Sequence, residues 1–595
     1  MPSKSFFLTL AFVFSMISIS VAKTELRYTV SFPEPHTHYL QVAMDIEGIQ
    51  TDFVDVKMPI WAPGSYLARE FARHIEGLEA IDNEKTKLKA EKIRKNTWRI
   101  SGTKNKNFTI NYKVYAYELT VRTSFVDERH AYLNGSSVFL YIDKQMDLPA
   151  TIKIIPNNAW KQISTSLDLV NAKDPNTFAS PNYDILADSP FEIGNHSVYD
   201  FVAMNVPHQI AMFGDHNADI ERLKKDIIKI VESSTKIFGE HPCKKYLFII
   251  HNIASGGGGL EHLNSTTCQV NQWAYKNETT YTGILQLLAH EYFHLWNVKR
   301  LRPIELGPFD YDNENYTHNL WVAEGFTAYY EDVILRRAGI TTDNFFMATV
   351  VDGINSISNT RGNYVQPLAE ASFDAWIKYY RPNENSNNST ISYYTKGAAV
   401  AAMLDMEIIN QSNGSKNLDN VMQYLYQTYY KGKNRGFTDG ELLDALSLVT
   451  QKNMTSFVDN FIYDTQTIDF ATYFQHIGLN LKNTAAGNAD PYLGMNIAPN
   501  NKITFLTKNT ASWKSGLNVN DEIIAVDGYR FGGDLAALVR YKKTGDELEF
   551  LVARDTKLKT IKVKLEPSGN VRFELSPAEK PTEQQTKNLK KYLNG

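Results

Sequence analysis

Two histidines four positions apart, His290 and His294, stand in the apolar run "LLAHEYFHLW", with Glu291 beside the first. On an α-helix successive residues turn by about 100°, so positions i and i+4 lie about 40° apart on one face. Both imidazoles can then aim at one point. Imidazole nitrogen suits Zn²⁺, which in catalytic sites takes three protein ligands and keeps a fourth position for water. Glu291 falls near the rim of that face, within reach of such a water rather than of the ion. H-E-x-x-H is thus a metal grip with a base beside it.

A third ligand has to come from elsewhere. Glu324 lies thirty residues after His294, in "LWVAEGFTAYYED". A lone carboxylate in an apolar helical pattern is costly to bury, and coordination removes that cost. His290, His294 and Glu324 therefore predict one zinc ion per chain, in the catalytic rather than the structural arrangement. Glu331 follows seven residues later on nearly the same face. It reads either as the partner that orients a ligand histidine or as a surface carboxylate.

The elements around these residues fall into blocks. Residues 1–22, "MPSKSFFLTLAFVFSMISISVA", have one positive charge, a short apolar run and small residues at the end, the pattern of a cleaved export signal. A secreted or periplasmic location is expected, with no later membrane span. From 23 to 205 the text alternates β-branched and aromatic residues between turns, as in "HYLQVAMDI", "NFTINYKVYAY" and "SVFLYID", and predicts an antiparallel β domain. "PIWAPGSYLAREF" (59–71) reads there as a rigid turn with a packed aromatic. Helical periodicity begins at 218–240, and the block 206–340 carries the histidine helix. Residues 341–485 read as a helical subdomain, 486–572 as short strands and turns, and 573–595 as a frayed polar tail. The expected class is multidomain α+β.

Composition narrows the partners. A formal net charge of −4 gives no electrostatic case for nucleic acid. Cys243 and Cys268 are the two cysteines, and two cysteines without geometry leave pairing open.

The order of motifs "GGGGLEH" (256–262), "HEYFH", "LWVAEGFTAYYED" and "YTKG" (394–397) resembles the glycyl aminopeptidase family of zinc metallopeptidases, of the gluzincin clan. "PIWAPGSY" is similar to part of that family's N-terminal β domain. "YLGM" (492–495) and "SGLNVNDEIIAVDGYRF" (515–531) resemble a PDZ domain. The resemblance implies a thermolysin-like α/β catalytic domain and a C-terminal PDZ-like domain. It implies that Gly258 and Gly259 let substrate backbone approach closely, having no Cβ. It makes Glu261 the carboxylate that holds the substrate's free amine, with His262 beside it where the wider clan has Asn. It makes Tyr394 the hydroxyl that steadies the tetrahedral oxyanion.

Together these imply an aminopeptidase for peptides with a free N-terminus, favouring Gly or Ala. Glu291 serves as general base on a water acidified by zinc. Two other readings use the same residues: an endopeptidase of the same chemistry, and a non-catalytic protein binding a peptide or C-terminus through its PDZ-like domain.

Overall fold

The computed structural model describes residues 24–595. The signal expected over 1–22 lies outside the described residues. Among those described, no helix is long and apolar enough to cross a membrane.

Between Glu25 and Ser180 the apolar–polar alternation builds an eleven-stranded sheet. In Tyr39–Glu47, for example, Leu40, Val42, Met44 and Ile46 are buried and their neighbours face outward. A four-stranded sheet of Phe125–Val126, His130–Leu133, Gln162–Thr165 and Phe191–Gly194 shares its core. The domain departs from the antiparallel expectation at one place: Glu25–Ser31 runs parallel to Ala150–Ile155. "SVFLYID" is also not one strand. Only Tyr141–Ile142 pairs, while Val138, Phe139 and Leu140 form a fully buried connection. Its carbonyls must find donors away from water. The hydroxyls of Tyr112, Tyr183 and Tyr28 supply them, at 2.9, 2.7 and 2.7 Å.

A second sheet starts with Ser197–Ala203, ahead of the expected boundary at 206, and continues with Val206–Phe213, Tyr246–Ile253, Ser265–Asn271 and Gly258–Glu261. Its three middle strands are parallel, and both edges are antiparallel. Helix α1, Ile220–Phe238, is capped by the Asp219 side chain and ended by Gly239 at φ 79°. Helix α2, Glu278–Phe293, carries the histidines. Asn277 caps it by accepting from Thr280 N–H. The sequence suggests that this helix runs on through "LWNVKR". Instead it stops at His294, and Val298 adopts a positive φ of 89° in the turn that follows.

Glu324 sits in a π-helical turn, Trp321–Phe326, that leads into helix α3, Thr327–Arg337. Helix α4, Tyr393–Gln411, follows in the helical region. That region has no core of its own: one apolar cluster joins Ile227 of α1, Tyr292 of α2, Leu404 of α4 and Phe474. Residues 491–567, in contrast, gather around a separate core that includes Leu493, Ile503, Ile523 and Phe550.

The polar tail is not frayed. Phe573–Pro577 pairs antiparallel with Leu479–Asn483, and helix α5, Glu583–Asn594, begins with a capping box formed by Thr582 and Gln585. Its Tyr592 joins the main core, and Asn588, also buried, donates to His476 O at 2.9 Å. Leu589 and Leu593 also pack on that core, so a narrow apolar stripe and one satisfied amide dock a mostly polar helix.

Candidate active site

The ligand atoms of His290, His294 and Glu324 all lie within 4.8 Å of one another. Glu324 Oε2 is 3.5 Å from His290 Nε2 and 3.2 Å from His294 Nε2. The other ring nitrogens are engaged from behind. His294 Nδ1 lies 2.9 Å from Asn297 O. A carbonyl only accepts, so Nδ1 carries the hydrogen and Nε2 presents its lone pair toward Glu324. His290 Nδ1 lies 2.7 Å from Glu331 Oε2, which sets that ring the same way.

Two lone pairs and a carboxylate converging on one buried point fit a divalent cation. Burial alone disfavours charge on His290, yet Glu324 and Glu331 outweigh it and hold the ring well above its usual range. Burial likewise opposes ionisation of Glu324, and the two imidazoles overcome it, keeping the carboxyl low. A cation at that point satisfies all three donors without a proton. Two nitrogens and one oxygen make a set suited to zinc.

Asn297, which the sequence did not single out, ties the two ligand elements together. Its Nδ2 donates to Val322 O, Ala323 O and Thr327 Oγ1 at 2.9, 3.1 and 3.0 Å. It thereby pins the turn after α2 to the π-helical turn that holds Glu324. Close approach of α4 to the same turn depends on two glycines. A Cβ on Gly397 would lie 2.8 Å from both Gly325 Cα and Trp321 O. In a helix Gly→Ala ordinarily stabilises by about 1 kcal/mol. Here backbone has to move, so Gly397→Ala is expected to cost about 1–3 kcal/mol instead. Urea unfolding measures the sign, and an unchanged or higher midpoint would contradict this packing.

Glu291 is buried beside the histidines, and its Oε2 has no hydrogen-bond partner. Burial raises its carboxyl to about 7. Gly259 abuts it: a Cβ there would fall 2.0 Å from Glu291 Oε1. Two residues along the same strand, Glu261 is also buried, with Oε1 unpartnered. Gly64, at φ +88°, presses on it so closely that a Cβ would lie 2.6 Å from that oxygen. The "PIWAPGSY" loop is therefore more than a rigid turn, because it walls the strand that carries Glu261. Its Trp61 and Tyr66 stack edge-on against Trp376 of the helical region, at 5.1 and 5.8 Å.

Tyr394, at the start of α4, places its ring 6.2 Å from that of His290. The adjacent Tyr393 is fully buried, with an unpartnered hydroxyl. His262 is the one candidate directed elsewhere. Its Nδ1 lies 3.0 Å from Asp188, which also holds Lys299 at 2.9 Å. Cys243 and Cys268 are both free.

Comparison with known proteins agrees with this arrangement. Residues 27–195 match the peptidase M61 N-terminal domain, and residues 283–400 match M61 glycyl aminopeptidase. The crystal structure of an aminopeptidase N family protein from Idiomarina loihiensis superposes with a TM-score of 0.88. The two are 29% identical over 96% of this chain and 100% of the other. The chain is a peptidase that carries the M61 N-terminal and M61 glycyl aminopeptidase domains. A looser likeness is to an M1 zinc metallopeptidase from Deinococcus radiodurans, 12% identical over 75% of this chain and 95% of the other, at TM-score 0.47. No curated protein matches the sequence. Within the M61 peptidase the second match takes in His290, Glu291, His294, Glu324, Glu331 and Tyr394. Gly258–His262 precede it.

Proposed function

We propose that this M61 peptidase is a zinc aminopeptidase that removes a small N-terminal residue, Gly or Ala, from peptides. The observation that carries the reading is the buried, unpartnered carboxylate of Glu261, two strand positions from the Gly259 that touches Glu291. A buried carboxylate oxygen with no donor is unfavourable until something supplies one. A substrate α-ammonium is such a donor, and holding it there sets the next bond beside Glu291.

His290, His294 and Glu324 hold the zinc, and Glu331 and the Asn297 carbonyl keep the two rings turned toward it. When bound, zinc supplies Lewis acidity toward the scissile carbonyl and acidifies water. Glu291 takes the water's proton on its free carboxylate oxygen and passes it to the leaving amine. The Tyr394 hydroxyl donates to the oxyanion. Gly258 and Gly259 admit the substrate backbone, and His262 backs the strand through Asp188. Crowding by Gly64 and Tyr66 beside Glu261 favours a small first side chain.

The residues 486–572 we read as PDZ-like, because Met495–Ile497 pairs on one side only and leaves an edge for a peptide strand. The export-signal pattern at 1–22 supports a secreted or periplasmic enzyme.

Glu261→Ala tests the amine anchor. Cleavage of a peptide with a free N-terminus should fall by two orders of magnitude or more, about the value of a buried charge-assisted contact. An internal bond of an N-acetylated peptide should be cut by neither protein. Equal losses on both substrates would instead mark an endopeptidase.

A further inference from the structure

Arg122 is a cationic side chain that the mechanism leaves unused. It belongs to the N-terminal β domain, on the loop before Phe125–Val126, yet it reaches the second sheet's edge strand. Its Nη2 lies 3.4 Å from Gly259 O, and a Cβ on Gly258 would be 3.8 Å from its Nη1. Its Nε is buried without a partner, and among the described residues no carboxylate pairs with it. Arg69, on the loop that walls Glu261, has an equally orphaned Nε and finds only Ser65 Oγ at 3.0 Å. Arg69, Glu118, Thr123 and Tyr380 line one cavity, and Arg122 adjoins it through its chain neighbour Thr123. Two guanidinium groups this close are mutually unfavourable; Glu118 relieves Arg69 in part, yet among the described residues no carboxylate lies within ion-pair distance of Arg122.

The loop that carries Arg122 is rigidly placed. Gln269 of the second sheet donates to Leu119 O at 3.0 Å, and Tyr132 donates to Val121 O at 3.2 Å. Thr120 accepts from Arg122 N–H at 3.1 Å. A flexible surface arginine needs no such bracing.

Position along the strand gives the ligand. At about 3.3 Å per residue, Gly259 and Gly258 lie about 7 and 10 Å from Glu261. Extended di- and tripeptides span about the same, roughly 7 and 10 Å. If an α-ammonium rests on Glu261 and the scissile bond lies by Glu291, the group arriving at Arg122 is the terminal carboxylate of a short peptide. Guanidinium and carboxylate match in geometry as well as charge.

We propose that Arg122 is a specificity-determining residue that binds the free α-carboxylate of a di- or tripeptide, making short peptides with both termini free the substrates of this peptidase. This rests on the aminopeptidase reading above.

The test compares alanyl-alanine, its C-terminal amide and alanyl p-nitroanilide on the zinc-loaded full chain. The wild type should show a KM for the free acid about ten- to a hundredfold below that for the amide. Arg122→Gln should raise the KM for the acid to the level of the amide. It should leave kcat, and the KM values for amide and anilide, unchanged, because the contact is made equally before and during reaction. Arg122→Lys should restore part of the preference. Three results overturn the proposal: a wild type that does not distinguish acid from amide, an Arg122→Gln variant that keeps the preference, or one that loses acid and amide equally, as a tie between domains would. The anilide separates the two readings. If the wild type fails to cleave it, aminopeptidase action falls and the subsite with it, whereas cleavage without acid preference removes the subsite alone.

Discussion

Glu291→Gln is expected to bind zinc as the wild type does and to turn over about a hundred to ten thousand times more slowly. The substitution is nearly isosteric, so the Gly259 strand, which leaves no space beside this side chain, stays in place. His290, His294 and Glu324 are untouched, and metal content by mass spectrometry should remain at one equivalent per chain. Only proton acceptance is removed. A carboxylate raised by burial to about 7 is suited to take and return a proton near neutrality. Turnover within a few-fold of the wild type would assign the base elsewhere. Loss of metal would mean that Glu291 is a ligand.

The second large effect belongs to Glu324. In Glu324→Ala the two imidazoles keep their partners, Glu331 and Asn297 O, but the third donor is gone. Removing a group that merely supports a ligand weakens metal binding by about 10- to 100-fold, so losing the ligand itself should exceed that. Equilibrium dialysis against zinc gives the affinity. Thermal unfolding gives a readout without activity: a chelator should lower the Tm of the wild type and leave that of Glu324→Ala unmoved, since a metal that binds only the folded state stabilises it by linkage. A variant that keeps zinc and its sensitivity to chelator would remove Glu324 from the site.

Much of the site's geometry is legible in the sequence, and the reason is periodicity. His290 and His294 share a face because helices turn by a fixed angle, and Glu331 meets His290 by the same rule. The sequence does not show how far apart in the chain such faces meet. Arg122, Gly64 and Asn297 come from loops, where spacing carries no geometry, and each acts through a contact across elements. In the sequence Gly397 is only the last residue of a motif. Its physical reason, that a Cβ there would fall 2.8 Å from Gly325 Cα, exists only once α4 lies against the π-helical turn. That turn was itself illegible, since "LWVAEGF" has the composition of an ordinary helix.

In the fold, alternating strands were readable, whereas the buried Val138–Leu140 connection was not. Three distant tyrosine hydroxyls make it tolerable, and only tertiary structure brings them together. The C-terminal helix differs from its sequence expectation for the opposite reason. Its overall polarity hides a capping box in "TEQQ" that local rules can detect.

The central claim is that zinc is held by two histidines and a glutamate in front of an amine-binding carboxylate. A crystal structure of the full chain with zinc and free glycine tests it most directly. Anomalous scattering should place one zinc between His290 Nε2, His294 Nε2 and Glu324, with the glycine ammonium on Glu261. Zinc bound at other residues, or glycine seated with its ammonium away from Glu261, would contradict it.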